Sequence, residues 1–215
     1  MKIAVQLVLW IIIGALAYLI FNSIYEPIKF NKVKEKRYAA VIEKLNDIRK
    51  SELAYRQVTG KFAGDFNSLV RFIDTAEFTL LQRKDTVVVD EEQTKLLGVD
   101  ITKEIVKIDT LGYKSVKDSL FGTSDSYKTM MNVPNTDKKF ELQAGFIEKN
   151  ESKIPVFEAR VAKAVILDDQ DRDLVLQEND VVSVDGVNGK YIKVGSMEEI
   201  KTAGNWPKSY GDNDQ

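Results

Sequence analysis

IAVQLVLWIIIGALAYLIFNSIY, residues 3–25, contains no charged side chain, and a polar chain of about 190 residues follows it. At about 1.5 Å rise per residue, 23 helical residues reach roughly 34 Å, enough to cross a hydrocarbon core of about 30 Å with some tilt. No later stretch of the sequence repeats this pattern. The reading is a single anchor over residues 1–26, with the membrane as a partner through residues 3–25. A cleaved secretory signal is the competing reading. Met1 and Lys2 would be its basic start, Ile3–Ile13 its apolar core and Ala15-Leu16-Ala17 its cleavage site. The apolar run continues through Tyr18-Leu19-Ile20-Phe21, longer than such a core needs. Tyr18 and Tyr25 also lie toward the far interface, where amphipathic rings collect. Both points favour an uncleaved anchor.

Orientation is less direct. Lys29, Lys32, Lys34, Lys36 and Arg37 follow the span closely, against only Lys2 before it. The positive-inside rule read literally puts the domain in the cytoplasm. The charge then reverses along the chain. Residues 26–61 hold ten Lys/Arg against five Asp/Glu, a net of +5, whereas residues 62–215 hold twenty against twenty-eight, a net of −8. A basic stem suits either a solvated helix face or anionic headgroups, and the acidic remainder argues against nucleic acid.

The chain has no cysteine and no histidine. That removes disulfides, thiolate chemistry, the commonest general base and the commonest zinc ligand. A non-enzymatic role is expected, with no small-molecule substrate identified.

Beyond the anchor, residues 27–75 read as helical. Pro27 marks an end, kink or restart of the membrane helix. Tyr38, Val41, Ile42, Leu45, Ile48 and Tyr55 then recur at helical spacing and predict an amphipathic stem over 33–58 that packs on the chain's own sheet, with a partner's helix as the alternative cover. Gly60 suits its left-handed cap, and Asp65 caps a second helix carrying Phe66, Leu69, Val70 and Ile73 and ending near Asp74. Residues 76–215 read as mainly β. Short strands are expected at 78–81, 87–89 and 105–108, with polar connections at 90–94 and 109–118 and a helical turn or two within 113–120. A long loop covers 124–137. Phe140, Leu142, Ala144 and Phe146 alternate into a strand that turns at 148–152 into another over 156–167. A hairpin is expected between Val181–Val184 and Tyr191–Val194, and Trp206 is expected to pin the last segment before a fraying tail. The fold class is α+β: a transmembrane helix continuing into an amphipathic one, packed on a mainly antiparallel C-terminal β region.

The one site-like cluster is Asp168-Asp169-Gln170-Asp171-Arg172-Asp173. Asp169, Asp171, Asp173 and Asp180 fall at positions 1, 3, 5 and 12 of a calcium loop, but Leu174 stands where the turn needs glycine. An acidic loop between strands, with no helix beside it, is the expectation. Tyr113-Lys114-Ser115-Val116-Lys117 matches a Tyr-x-x-x-Lys spacing without the glycine-rich turn a dinucleotide needs. Catalytic, cofactor-binding and metal-binding residues are therefore assigned to none, and no cofactor is expected.

Leu53-Ala54-Tyr55, Gly60-Lys61-Phe62, and Phe66 with Leu69, inside residues 48–73, resemble the helix-exit region of type IV pilins and type II secretion pseudopilins. In those families a long N-terminal helix, half in the membrane, leaves through a glycine and an aromatic into a short second helix. The resemblance spans about 70 residues with the anchor. It implies a structural or assembly component of a cell-envelope complex, engaging other envelope proteins, with its domain on the periplasmic side of a bacterial inner membrane. The apolar segment lacks the glutamate, and the start lacks the basic leader ending in Gly before Phe, that a polymerising pilin carries, so a permanent anchor is expected. The whole chain also resembles single-pass membrane proteins of Bacteroidota without an assigned activity. A membrane-tethered ligand-binding or sensor module is the alternative.

Overall fold

The structure, a computed structural model, describes residues 2–90, 95–96, 98–99 and 102–211. Helix α1, Lys2–Thr59, is a single element of 58 residues, about 87 Å long. Its two halves meet different surroundings. Apolar side chains from Ile3 to Tyr25 are 48–74% exposed on all sides, whereas Tyr38, Val41, Ile42, Leu45 and Ile48 are buried. Within α1 lies a segment of mean hydropathy 2.5, long and apolar enough to cross a membrane. The end or restart expected at Pro27 does not occur, and the helix runs through it. Pro27 removes one i→i−4 bond at about 3 kcal/mol, and the long intact ladders on both sides hold the axis together.

Gly60 closes α1 with φ 78° and donates its N–H to the Arg56 carbonyl. Helix α2, Phe66–Thr75, begins where the Asp65 carboxylate accepts from the Ser68 N–H and hydroxyl. Leu69, Phe72 and Ile73 on its inner face are buried, and Phe72 meets Tyr55 of α1 edge to face at 4.9 Å.

Two antiparallel sheets follow. The first is a two-stranded ribbon of β1, Glu77–Val89, and β2, Thr102–Ser115. The three short strands expected at 78–81, 87–89 and 105–108 are thus segments of two long ones, and 109–115 is strand rather than connection. The intervening polar residues pair because the ladder bonds backbone to backbone regardless of side chain, while the groups on each strand's outer edge face water. Of the expected connection at 90–94, residues 91–94 lie outside the described residues. Helix α3, Val116–Leu120, extends β2 from the Ser115 cap. The expected loop at 124–137 holds a 3-10 turn at Ser126–Thr129.

The second sheet is a meander of β3, Glu141–Lys149, β4, Ser152–Ala162, and β5, Tyr191–Gly195. The β3–β4 turn uses Asn150 and Glu151 at φ 49° and 63°, the twist that matches flanking strands. Phe157, Ala159 and Val161 of β4, with Ile192 and Val194 of β5, are buried on the face that packs against α1. The opposite face carries an ion-pair ladder, Glu141–Arg160–Glu158–Lys193. Between β4 and β5 lie α4, Lys163–Ile166, and α5, Arg172–Asn179. The hairpin expected at 181–194 forms only its second strand: Tyr191–Gly195 pairs with β4, and 181–184 is not strand, leaving Val182 and Val184 91% and 92% exposed. Trp206 is buried in the same core, as expected, and residues 212–215 of the tail lie outside the described residues.

Candidate interaction surfaces

The acidic cluster is the counter-charge of the basic stem. Arg37 Nη1 and Nη2 donate to the two carboxylate oxygens of Asp169 at 2.6 and 2.7 Å. Asp171 caps α5, accepting from the N–H groups of Asp173 and Leu174 at 3.0 and 3.1 Å. Asp180 is the C-cap of the same helix. The helix overturns the expected loop: eight residues wound into α5 occupy the interval a calcium loop would need, and the Asp171 carboxylate at its start is spent on the cap. No group of three or more acidic side chains placed to hold a metal ion occurs among the described residues.

One turn before Arg37, Lys34 Nζ donates to Glu178 Oε2 of α5 at 2.9 Å. Glu178 Oε1 also accepts from the Tyr38 hydroxyl at 3.3 Å and from Lys163 Nζ at 3.1 Å. Lys163 is fully buried, and its ammonium spends its other donors on the Glu178 and Val187 carbonyls at 2.7 and 2.6 Å. Burial pulls the Lys163 pKa down against the opposing pull of Glu178. Burial and the Glu178 charge push the Tyr38 phenol up. Sequence reading missed this knot because Lys163 and Glu178 stand singly among helical residues and meet Lys34 only across the fold.

The α5 end of the knot reaches the apolar half of α1. Asp171, Leu174 and Gln177 share a groove with Leu19, Asn22, Ser23, Glu26 and Pro27 of α1. The folded domain therefore begins at the last turns of the uncharged segment, without a stalk between them.

A second buried carboxylate lies at the helix exit. Glu52 is fully buried, and its Oε2 accepts the Ala63 N–H at 2.9 Å while Oε1 has no hydrogen-bond partner. Burial pushes its pKa up to about 8, with the Ala63 bond opposing. The raised pKa favours the protonated form of Glu52 at neutral pH. It fastens the 60–65 connection to α1, and the Tyr127 hydroxyl similarly meets Asp74 to hold the 3-10 turn on α2.

The ribbon is the most exposed part of the domain. Only its base enters the core, through Phe78. Leu81, Val87, Val89, Val106 and Ile108 share one face by register and remain 46–62% exposed. An isolated two-stranded hairpin is marginal in water. A cleft of about 500 Å³ lies elsewhere, walled by Ser183, Asp185, Asn188, Asn205 and Ser209. The Trp206 ring at its edge is fully buried and offers no face for stacking. The Tyr113–Lys117 motif splits between β2 and α3, with Tyr113 exposed and Lys117 paired to Asp125 at 3.0 Å.

Comparison with protein-family models, with curated proteins and with solved structures finds no match, so none of the three supports the pilin or Bacteroidota resemblance.

Proposed function

We propose that this chain is a non-enzymatic, membrane-anchored structural or assembly component of a bacterial cell-envelope complex. The observation that carries the reading is the projecting β1–β2 ribbon with its exposed apolar face. Its exposed apolar side chains, Leu81, Val87, Val89, Val106 and Ile108, stand among the charged Arg83, Asp85 and Glu104, and an exposed apolar patch rimmed by polar residues is the pattern of a protein contact. The stem contributes little to that contact, because its apolar stripe of Tyr38, Val41, Ile42, Leu45 and Ile48 is already buried in the chain's own core. The outer face of the β3–β4–β5 sheet is occupied by its ion pairs.

The anchor reading fits the same picture. With α5 beside Asn22 and Ser23, the hydrocarbon boundary falls before them. Residues 3–21 then give about 28 Å of helix, still close to a hydrocarbon core. Lys34 and Arg37 are engaged by Glu178 and Asp169, which leaves fewer stem cations for headgroups. The pilin-like element is the arrangement of apolar half-helix, buried half-helix, glycine exit and antiparallel sheet. The domain is assigned to the periplasmic side of the inner membrane on that resemblance, against the flanking charge.

The alternative, a tethered ligand-binding or sensor module, rests on the cleft at Ser183–Ser209. Its open, polar walls lack the enclosed apolar floor that ligand sites use.

Replacing residues 80–111 by a short turn tests the assembly reading. The shortened chain is expected to fold and remain in the membrane while losing every cross-link the intact chain makes in native membranes. Retention of those cross-links overturns the proposal. Periplasmic placement is expected to show as labelling of a Lys153→Cys variant by an impermeant maleimide in intact cells, and labelling only after lysis reverses it.

A further inference from the structure

The ribbon's exposed face has a pattern that selects its occupant. Beyond a bulge at Leu80/Leu81, Leu81, Arg83, Asp85 and Val87 of β1 stand opposite Thr110, Ile108, Val106 and Glu104 of β2. All eight point to one side, because cross-strand partners and alternate residues share a face. The order along β1 is apolar, positive, negative, apolar, and the pair beside its centre on β2 is Ile108 and Val106.

A second ribbon turned end for end about a twofold axis between Arg83 and Asp85 meets this face in matching order. Arg83 then lies over Asp85 of the other copy and Asp85 over its Arg83. Leu81 covers Val87, Ile108 covers Val106, and Thr110 meets Glu104. Such a face is complementary to itself, the condition for an isologous contact. The reverse face is not. Lys84 and Lys107 stand directly opposite one another there, with Lys103 nearby and Asp109, paired to Lys107 at 3.6 Å, as the carboxylate among them, so a second copy on that side adds net like charge.

We propose that the face formed by residues 81–87 and 104–110 is the contact between two copies of this chain. The inference rests on the assembly reading and names its partner. The seven mutually covering residue pairs, 81–87 with 104–110, give a footprint of about 23 Å by 10 Å, roughly 230 Å² per copy against the ~800 Å² of a standard stable interface. The contact is therefore weak between free domains. Anchoring both copies in one bilayer supplies the high effective concentration that makes it form.

Charge exchange tests this on the full chain, whose lack of cysteine allows clean labelling. Two tagged copies, one Val106→Cys and one Ile108→Cys, are co-expressed in native membranes and treated with a short bis-maleimide. A mixed cross-linked dimer is expected, and Lys84→Cys with Lys107→Cys on the reverse face is expected to give none. Arg83→Asp in both copies, or Asp85→Arg in both, is expected to lower the yield at least fivefold. One copy of each restores it, because each altered charge then faces its opposite. Circular dichroism of each purified variant checks that the fold is kept. A dimer yield indifferent to these charges, or no rescue on mixing, overturns the proposal. Cross-links from the ribbon only to a different protein overturn the dimer and leave the assembly reading standing. Cross-links to nothing overturn both.

Discussion

Arg37 and Asp169, 132 residues apart, meet in two parallel charge-assisted bonds, and Arg37 also donates to the Ile166 carbonyl at 2.8 Å. The arginine fork thereby ties the α4–α5 turn to the stem. Its side-chain bond holds the Asp169 carboxyl well below the usual carboxylate range. Asp169 is more than half exposed, so solvent screening keeps the pair to about 1 kcal/mol. Because the folded pKa is depressed, this contribution is present above the unfolded value near 4 and is lost as pH falls through the folded one. Arg37→Ala is expected to lower unfolding free energy by about 1 kcal/mol at pH 7 and to flatten the stability profile below pH 4. Urea titration in detergent at several pH values checks it, and an unchanged acid limb refutes the link.

Glu178→Ala is expected to cost more, about 3–5 kcal/mol, because it strands the buried Lys163 ammonium beside Lys34. Replacing Lys163 by Met in the same background is expected to recover part of the loss. Thermal melts of the single and double variants measure the coupling.

Glu52 sets the alkaline side. Its pKa, pushed up to about 8, lies above the unfolded value near 4.3. The folded state therefore binds the extra proton between them, and stability falls as pH rises across that window. Glu52→Gln is expected to remove this slope and to stabilise the domain at pH 9 by an amount on the order of a few kcal/mol. Parallel stability curves of the two proteins would contradict the assignment.

Gly204 lies directly on the Trp206 ring, and a Cβ there would collide with it. Gly204→Ala is expected to displace the ring and cost about 1–3 kcal/mol, read as a lowered melting midpoint with altered tryptophan fluorescence. Unaltered emission would mean the ring stays in place.

The groove joining α5 to Leu19–Pro27 sets a membrane depth. Spin labels at Ile13→Cys, Asn22→Cys and Leu176→Cys are expected to report hydrocarbon, headgroup and headgroup respectively, from oxygen against nickel-complex accessibility in nanodiscs. A fully water-exposed Leu176 label would place a stalk between domain and bilayer.

The uncharged run 3–25, the 38–48 stripe, the Gly60 exit and the Asp65 cap were all legible in the chain, because local propensity and periodicity write them within a few turns. So was the β3–β4 hairpin, through alternation around 148–152. The ribbon was legible only in fragments. Polar residues such as Gln82–Asp85 join strands when a partner strand satisfies their backbone, and that partner lies some 25 residues away. The Val181–Val184 run failed for the converse reason, since β5 pairs with β4 instead. The acidic residues 168–173 looked alike in sequence, yet one grips Arg37 and another caps a helix. Sequence by itself determined the apolar, membrane-length half of α1 and the α+β division, because both follow from short-range hydrophobic pattern. Tertiary structure alone decided where the charges are spent and which apolar face stays uncovered, because those depend on neighbours brought together only when the chain closes on itself.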